Sequence, residues 1–211
     1  YEVDTRLRPQ GRQGPLVASF DAFARYQRED AWTWEHMALT RARPVYGSAA
    51  ARGRVHAVIG EVLAAPRDPA KLHADIVKMR GDMAAHKPAK GPLDVKLCDG
   101  GLVDAEFAIH ALQLRHGVAF DPCLDGALAG LVAAGLAPGE SVEALHLLMR
   151  MLVTLRLMAP DSLTPADAET RARIAHACMP GGGDWDGLLR SYADARACIG
   201  AWWGGISGGS W

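Results

Sequence analysis

The chain opens Tyr1-Glu2-Val3-Asp4-Thr5-Arg6-Leu7-Arg8. In an extended strand successive side chains point to opposite faces, which sets Glu2, Asp4, Arg6 and Arg8 on one side and Tyr1, Val3, Thr5 and Leu7 on the other. Two carboxylates followed by two guanidinium groups are what a metal-nucleotide site needs: oxygens for magnesium, then planar donors for phosphate. The same row also fits the solvated face of a half-buried strand. Pro9 stops the ladder, and Gly11 and Gly14 permit a tight turn or a close backbone approach to a ligand.

Two further sets carry polar chemistry. Lys96, Gly100, Gly101, Asp104 and Glu106 fall together around the start of an expected helix. A glycine pair before a helix either presents amides to a phosphate or makes an ordinary turn and cap. Asp104 and Glu106 are two residues apart and do not share a helix face, which makes them a poor metal pair. The third set is Glu35, Arg41 and Arg43, just behind Trp32 and Trp34. It reads either as surface ion pairing, worth little energetically, or as support for a catalytic group.

The elements that must position these groups are mostly helices. Pro15-Leu16-Val17 reads as a short second strand of a hairpin. Ser19 caps a helix whose apolar positions recur at three and four residue steps to about Arg43, where Pro44 ends it. Aromatic residues at this spacing, Trp34 among them, are expected in the core. Ser48 starts a helix with Val55, Val58, Ile59 and Val62 as its buried stripe. Asp68-Pro69 starts another, with Leu72, Ile76, Met79 and Met83 on one side. His86 to Pro92 has linker composition. Leu93-Asp94-Val95-Lys96-Leu97 alternates like a strand, and a helix follows from about Leu102 to Arg115. Leu124 to Val132, Val142 to Leu155, a helix started by Thr164-Pro165, and one from Asp184 through Ile199 complete the pattern. The ending AWWGGISGGSW reads as a packed end, a flexible tail or non-native sequence.

The totals exclude several classes. With 23 basic and 24 acidic residues and a net charge of -1, no global field attracts nucleic acid or anionic lipid. Residues 1–60 hold nine arginines against six acids, compatible with a local anion site. Cys98, Cys123, Cys178 and Cys198 match no zinc spacing and read as reduced thiols of a cytoplasmic chain. No leader or membrane-length apolar run is present in the sequence. Tyr1 already reads as mid-strand, so the chain is expected to be a portion of something longer.

The stretches YEVDTRLRPQGRQGPL, WTWEHMALTRARPVYG, PRDPAKL, MRGDMAAHK and DVKLCDGGLVDAEF resemble the glutamine synthetase adenylyltransferase family, with WTWEHMALTRAR and MRGDMAAH closest to its C-terminal, adenylylating copy. The resemblance is carried by residues 1 to about 116. It implies an α+β fold: the remnant of a polymerase-beta-like nucleotidyltransferase mixed sheet followed by a predominantly helical C-terminal domain. It implies the C-terminal part of the nucleotidyltransferase domain at 1–86, a linker and glycine-pair segment at 87–101, a helical bundle at 102–200 and a tail at 201–211.

The function implied is transfer of AMP from ATP to a tyrosine of glutamine synthetase, with release of pyrophosphate. Asp4 would be the metal ligand, holding Mg2+, with Arg6 and Arg8 beside it at the phosphates. Gly11, Gly14, Lys96, Gly100 and Gly101 would contact nucleotide or substrate, and Glu35, Arg41, Arg43, Asp104 and Glu106 would support them. Two further acids of the family's metal site belong to a motif absent from this sequence, so this chain alone is expected to be inactive. Two other readings stand beside this one. One is a non-catalytic helical module that binds glutamine synthetase or a nitrogen-signalling regulator. The other is a protein uridylyltransferase-like enzyme.

Overall fold

Five helix starts among the described residues follow a side chain that accepts an amide hydrogen. The computed structural model describes residues 14–160, 165, 167–209 and 211. Ser19 accepts from the Ala22 amide and begins α1 (Phe20–Glu29), and α2 (Thr33–Leu39) follows after a short break. Ser48 accepts from Ala51 at the head of α3 (Ala49–Ala64). Asp68 accepts from Ala70 and Lys71 ahead of α4 (Pro69–His86), whose first residue is a proline with no amide to satisfy. Then come α5 (Leu102–His116), α6 (Leu124–Ala133) and α7 (Ser141–Met158). Asp167 and Asp184 cap α8 (Ala168–Cys178) and α9 (Trp185–Ser207) through the Thr170 and Gly187 amides. Each such cap contributes about 1 kcal/mol.

The expected α+β architecture is overturned: across the described residues the regular structure is helix, with no strand. The strand expected at 1–8 falls outside the described residues. Pro15-Leu16-Val17 is not a strand but an irregular stretch with Leu16 and Val17 exposed. Leu93 to Leu97, strand-like by alternation, forms turns instead, because the Asp94 carboxylate accepts from the Lys90 and Leu97 amides and folds the backbone locally. The single helix expected through Arg43 is two helices, since the Glu35 carboxylate turns back onto the Trp32 amide and starts a new one. Trp32 and Trp34 are not core: they are 71% and 38% exposed. On α4 the buried register is Leu72, Ile76 and Arg80, and Met83 faces out. Thr164 lies outside the described residues, and α8 takes its cap from Asp167.

The core is built around α5. Twelve of its fifteen residues are buried, Asp104, His110 and Gln113 among them, so neighbours surround it on most sides. α9, α4, α6, α7 and α2 pack on it, and α7 in turn packs on α8 and α9 through fully buried Leu145, Leu148 and Met151. The last turns of α9 are packed rather than loose. Trp202 and Ile206 are buried, Trp203 meets Phe107 edge-on at 5.9 Å between ring centroids, and Trp211 lies 5.4 Å from the His73 ring. Among the described residues no helix is long and apolar enough to cross a membrane.

The start of α5 and the body of α9 meet at glycines. Gly100 has φ +71°, and a Cβ there would stand 2.0 Å from the Arg196 carbonyl oxygen. Gly200 faces the same point, where its own Cβ would meet Gly100 Cα at 3.6 Å. Replacing Gly100 by alanine therefore forces the two helices apart and strains the backbone. Gly100→Ala should lower unfolding free energy by about 2 kcal/mol or more in urea denaturation. Gly60→Ala, in α3 with nothing near its Cβ, should raise it by about 0.5–1 kcal/mol.

Candidate functional site

The N-terminus of α5 is where the glycine pair could present amides to a phosphate, and four amides there are already engaged within the chain. The Gly101 amide donates to Cys98 O at 2.8 Å, Leu102 to Val95 O at 3.0 Å and Val103 to Lys96 O at 3.1 Å. The Gly100 amide donates to Asp104 Oδ2 at 2.6 Å. An anion bound at a helix N-terminus needs these N–H groups free. The carboxylate of Asp104, in the first turn of the same helix, fills that role from within the chain.

Asp104 is in turn held by Arg80 of α4, whose Nε lies 2.5 Å from Oδ1 in a pair that is almost fully buried. Both carboxylate oxygens are thus engaged, one by a guanidinium and one by an amide. Arg80 was missed in the sequence, yet an arginine four residues after Ile76 in the buried register of α4 is the signal of a charge that must find a partner inside. The surrounding 92–99 turns are pinned by α9, through Tyr192 Oη donating to Pro92 O at 3.1 Å and Arg196 Nε donating to Asp99 O at 2.9 Å.

These residues do not fit a metal-nucleotide site. Asp104 has no oxygen to give to a cation, and Glu106 stands 3.9 Å from Arg41 in an exposed pair. Lys96 is exposed, with only its carbonyl in the helix-start network. Among the described residues no group of three or more His, Cys, Asp or Glu side chains is placed to hold a metal ion. Asp4, Arg6, Arg8 and Gly11 lie outside the described residues, and Gly14 sits in an irregular stretch before α1. The AMP-transfer reading, with Mg2+ and ATP, is therefore corrected for this chain: neither the mixed sheet nor a metal-holding cluster exists among the described residues, and the glycine pair serves helix packing.

The remaining candidates gather at a groove of about 510 Å³ between α1, α2 and α3. Phe23, Trp34, Ala38, Val55 and Ile59 line it, and Arg41 and Arg43 stand at its edge, just beyond the end of α2. Glu35 also borders it, but its oxygens accept from Tyr26 Oη at 2.9 and 3.0 Å and from the Trp32 amide at 2.9 Å. Arg43 is exposed and makes no hydrogen bond or ion pair among the described residues. A second, more polar cleft of about 670 Å³ opens on the other side of Gln27, with Trp32 on its wall. There His36 Nε2–H donates to Gln27 O at 3.0 Å, and burial lowers its pKa.

Behind α2 a buried polar chain ties α2, α5 and the loop after α5 together. Thr40 Oγ1 donates to Met37 O at 2.7 Å, so it accepts from His110 Nδ1–H at 3.0 Å, and that N–H is shared with Gln113 Oε1 at 2.9 Å. Gln113 Nε2 continues to Ala119 O at 2.7 Å. The proton belongs on Nδ1, which leaves Nε2 buried without a partner among the described residues. A charged imidazole would bury an unsatisfied donor there, and burial lowers the His110 pKa to about 4.

Comparison with known proteins adds an independent line. The family described as Glutamate-ammonia ligase adenylyltransferase matches residues 1–57, and that described as GlnD PII-uridylyltransferase matches residues 72–201. A bifunctional glutamine synthetase adenylyltransferase/adenylyl-removing enzyme of Xanthobacter autotrophicus is 40% identical over 210 residues, covering 94% of this chain and 21% of that protein. The proteins of the same description from Rhizobium meliloti and Brucella suis are 38% identical over 205 residues and 53% over 107. Those matches cover 93% and 51% of this chain and 20% and 11% of the two relatives. The chain thus spans about a fifth of the length of its relatives, or less.

Two outcomes follow from this geometry. Asp104→Ala leaves Arg80 buried and unpaired and should cost about 3–5 kcal/mol, whereas Arg80→Met with Asp104→Leu should recover much of that loss in chemical denaturation. For His110 the folded pKa lies below the unfolded value, so its contribution is complete above about pH 6.5. It is lost as pH falls toward about 4, by on the order of 3 kcal/mol. Unfolding curves between pH 7 and 4 should show this slope, and His110→Gln should flatten it.

Proposed function

Since the chain belongs, through residues 72–201, to the GlnD PII-uridylyltransferase family, we propose that it is a non-catalytic helical module of a longer nucleotidyltransferase protein that docks glutamine synthetase. The likeness of WTWEHMALTRAR and MRGDMAAH to the family's adenylylating copy supports a place in the C-terminal, adenylyltransferase region of such a protein. The partner comes from those relatives, whose names specify glutamine synthetase.

The observation that carries the reading is the exposure of Trp32 and Trp34 at the head of α2, each on the wall of a groove. Large aromatic side chains that a fold leaves outside while it buries Trp202 are the usual anchors of protein interfaces. Thr33, Glu35 and His36 nearby are hydrogen-bonded within the fold, which suits a rigid surface better than a reacting centre.

Purified chain passed over immobilised glutamine synthetase in a biosensor should bind reversibly with a dissociation constant of roughly micromolar order. Adding Mg2+ and ATP should leave that binding unchanged and should transfer no AMP. Absence of binding would overturn this reading, and binding only to a nitrogen-signalling regulator of the PII type would replace it with the regulator-docking one.

A further inference from the structure

We propose that the groove between α1, α2 and α3 takes an acidic protein segment, one that inserts an apolar side chain against Trp34 and sets carboxylates on Arg41 and Arg43. The inference rests on the docking reading above and gives the docked segment its chemistry.

The groove wall is apolar. Phe23 of α1, Trp34 and Ala38 of α2, and Val55 and Ile59 of α3 supply it. An apolar anchor entering it removes surface from water on both partners. Two guanidiniums stand at the edge against one carboxylate. Glu35, the acid bordering the groove, is satisfied by Tyr26 and the Trp32 amide, so it offers little to an incoming cation. Arg43 has no partner among the described residues. Arg41 is about half exposed and stands 3.9 Å from Glu106, a contact too long and too wet to hold it.

Two guanidiniums with open donors beside an apolar cavity match a carboxylate-bearing segment with one large apolar residue. A basic segment would be repelled, and an uncharged one would leave both guanidiniums without compensation. The volume of about 510 Å³ accommodates one or two side chains of such a segment. Val45 and Tyr46, 83% and 94% exposed in the loop that follows Arg43, extend the apolar surface beyond the groove.

The test measures affinity of the 211-residue chain for glutamine synthetase in 50 and 300 mM salt, for wild type, Trp34→Ala, Arg41→Glu/Arg43→Glu and Leu157→Ser. Leu157 is 77% exposed on α7, away from the groove. The groove variants should bind at least about tenfold more weakly, and Leu157→Ser should match wild type. Wild-type affinity should fall with salt, and the double arginine variant should lose most of that salt dependence. All the substituted side chains are at least partly exposed, so thermal unfolding should be close to wild type. Wild-type binding that the groove substitutions leave intact overturns this inference and spares the docking reading. No binding of wild type overturns the docking reading and the inference with it.

Discussion

A single buried ion pair organises this chain. Arg80 reaches from α4 to Asp104 in the first turn of α5, and Asp104 uses its second oxygen to hold the Gly100 amide. Removing two charges from water is expensive, and that expense is offset only when each remaining donor and acceptor is met. Here the need is met by geometry. The carboxylate sits at the positive end of a helix, and the guanidinium lies against it in a nearly dry site. The turn at 92–101 is fixed as a consequence, and α9 can lie close across it at Gly100 and Gly200.

That arrangement separates structure from recognition. The polar residues that resemble chemistry, the glycine pair and Asp104 behind it, are turned inward to make helix joints. Thr40, His110 and Gln113 do the same between α2 and α5. What faces outward near α2 is aromatic surface and unspent guanidinium. Such a division suits a rigid helical module whose outer face is free to meet another protein.

Much of the helical framework was legible before the structure, because it depends on local rules. Ser19, Ser48, Asp68 and Asp184 cap the helices that their positions suggested. The apolar spacing of α7 placed Leu145, Leu148 and Met151 inside. Failures came where a side chain redirected the backbone. Asp94 turned an alternating pattern into turns, and Glu35 cut one long periodic stretch into two helices without glycine or proline to announce it.

At the start of α5 the sequence left a turn and cap beside a phosphate site as alternatives, for a similar reason. Spacing correctly put Gly100, Gly101 and Asp104 together, but spacing is silent about Arg80, which is twenty-four residues away in sequence and decides what Asp104 does. Sequence also could not show that α9 needs Gly100 for close packing. A glycine pair selected by the neighbour behind it looks the same, in one sequence, as a glycine pair shaped for a phosphate in front.

The central claim is that the start of α5 is closed by its own carboxylate, with the amides of Gly100, Gly101, Leu102 and Val103 engaged within the chain. Amide resonances of Gly100 and Gly101, followed by two-dimensional NMR while Mg2+ and ATP are added to millimolar levels, test it directly. The account predicts that both stay in place and that the Gly100 amide exchanges slowly with solvent. Saturable movement of those two resonances would contradict it.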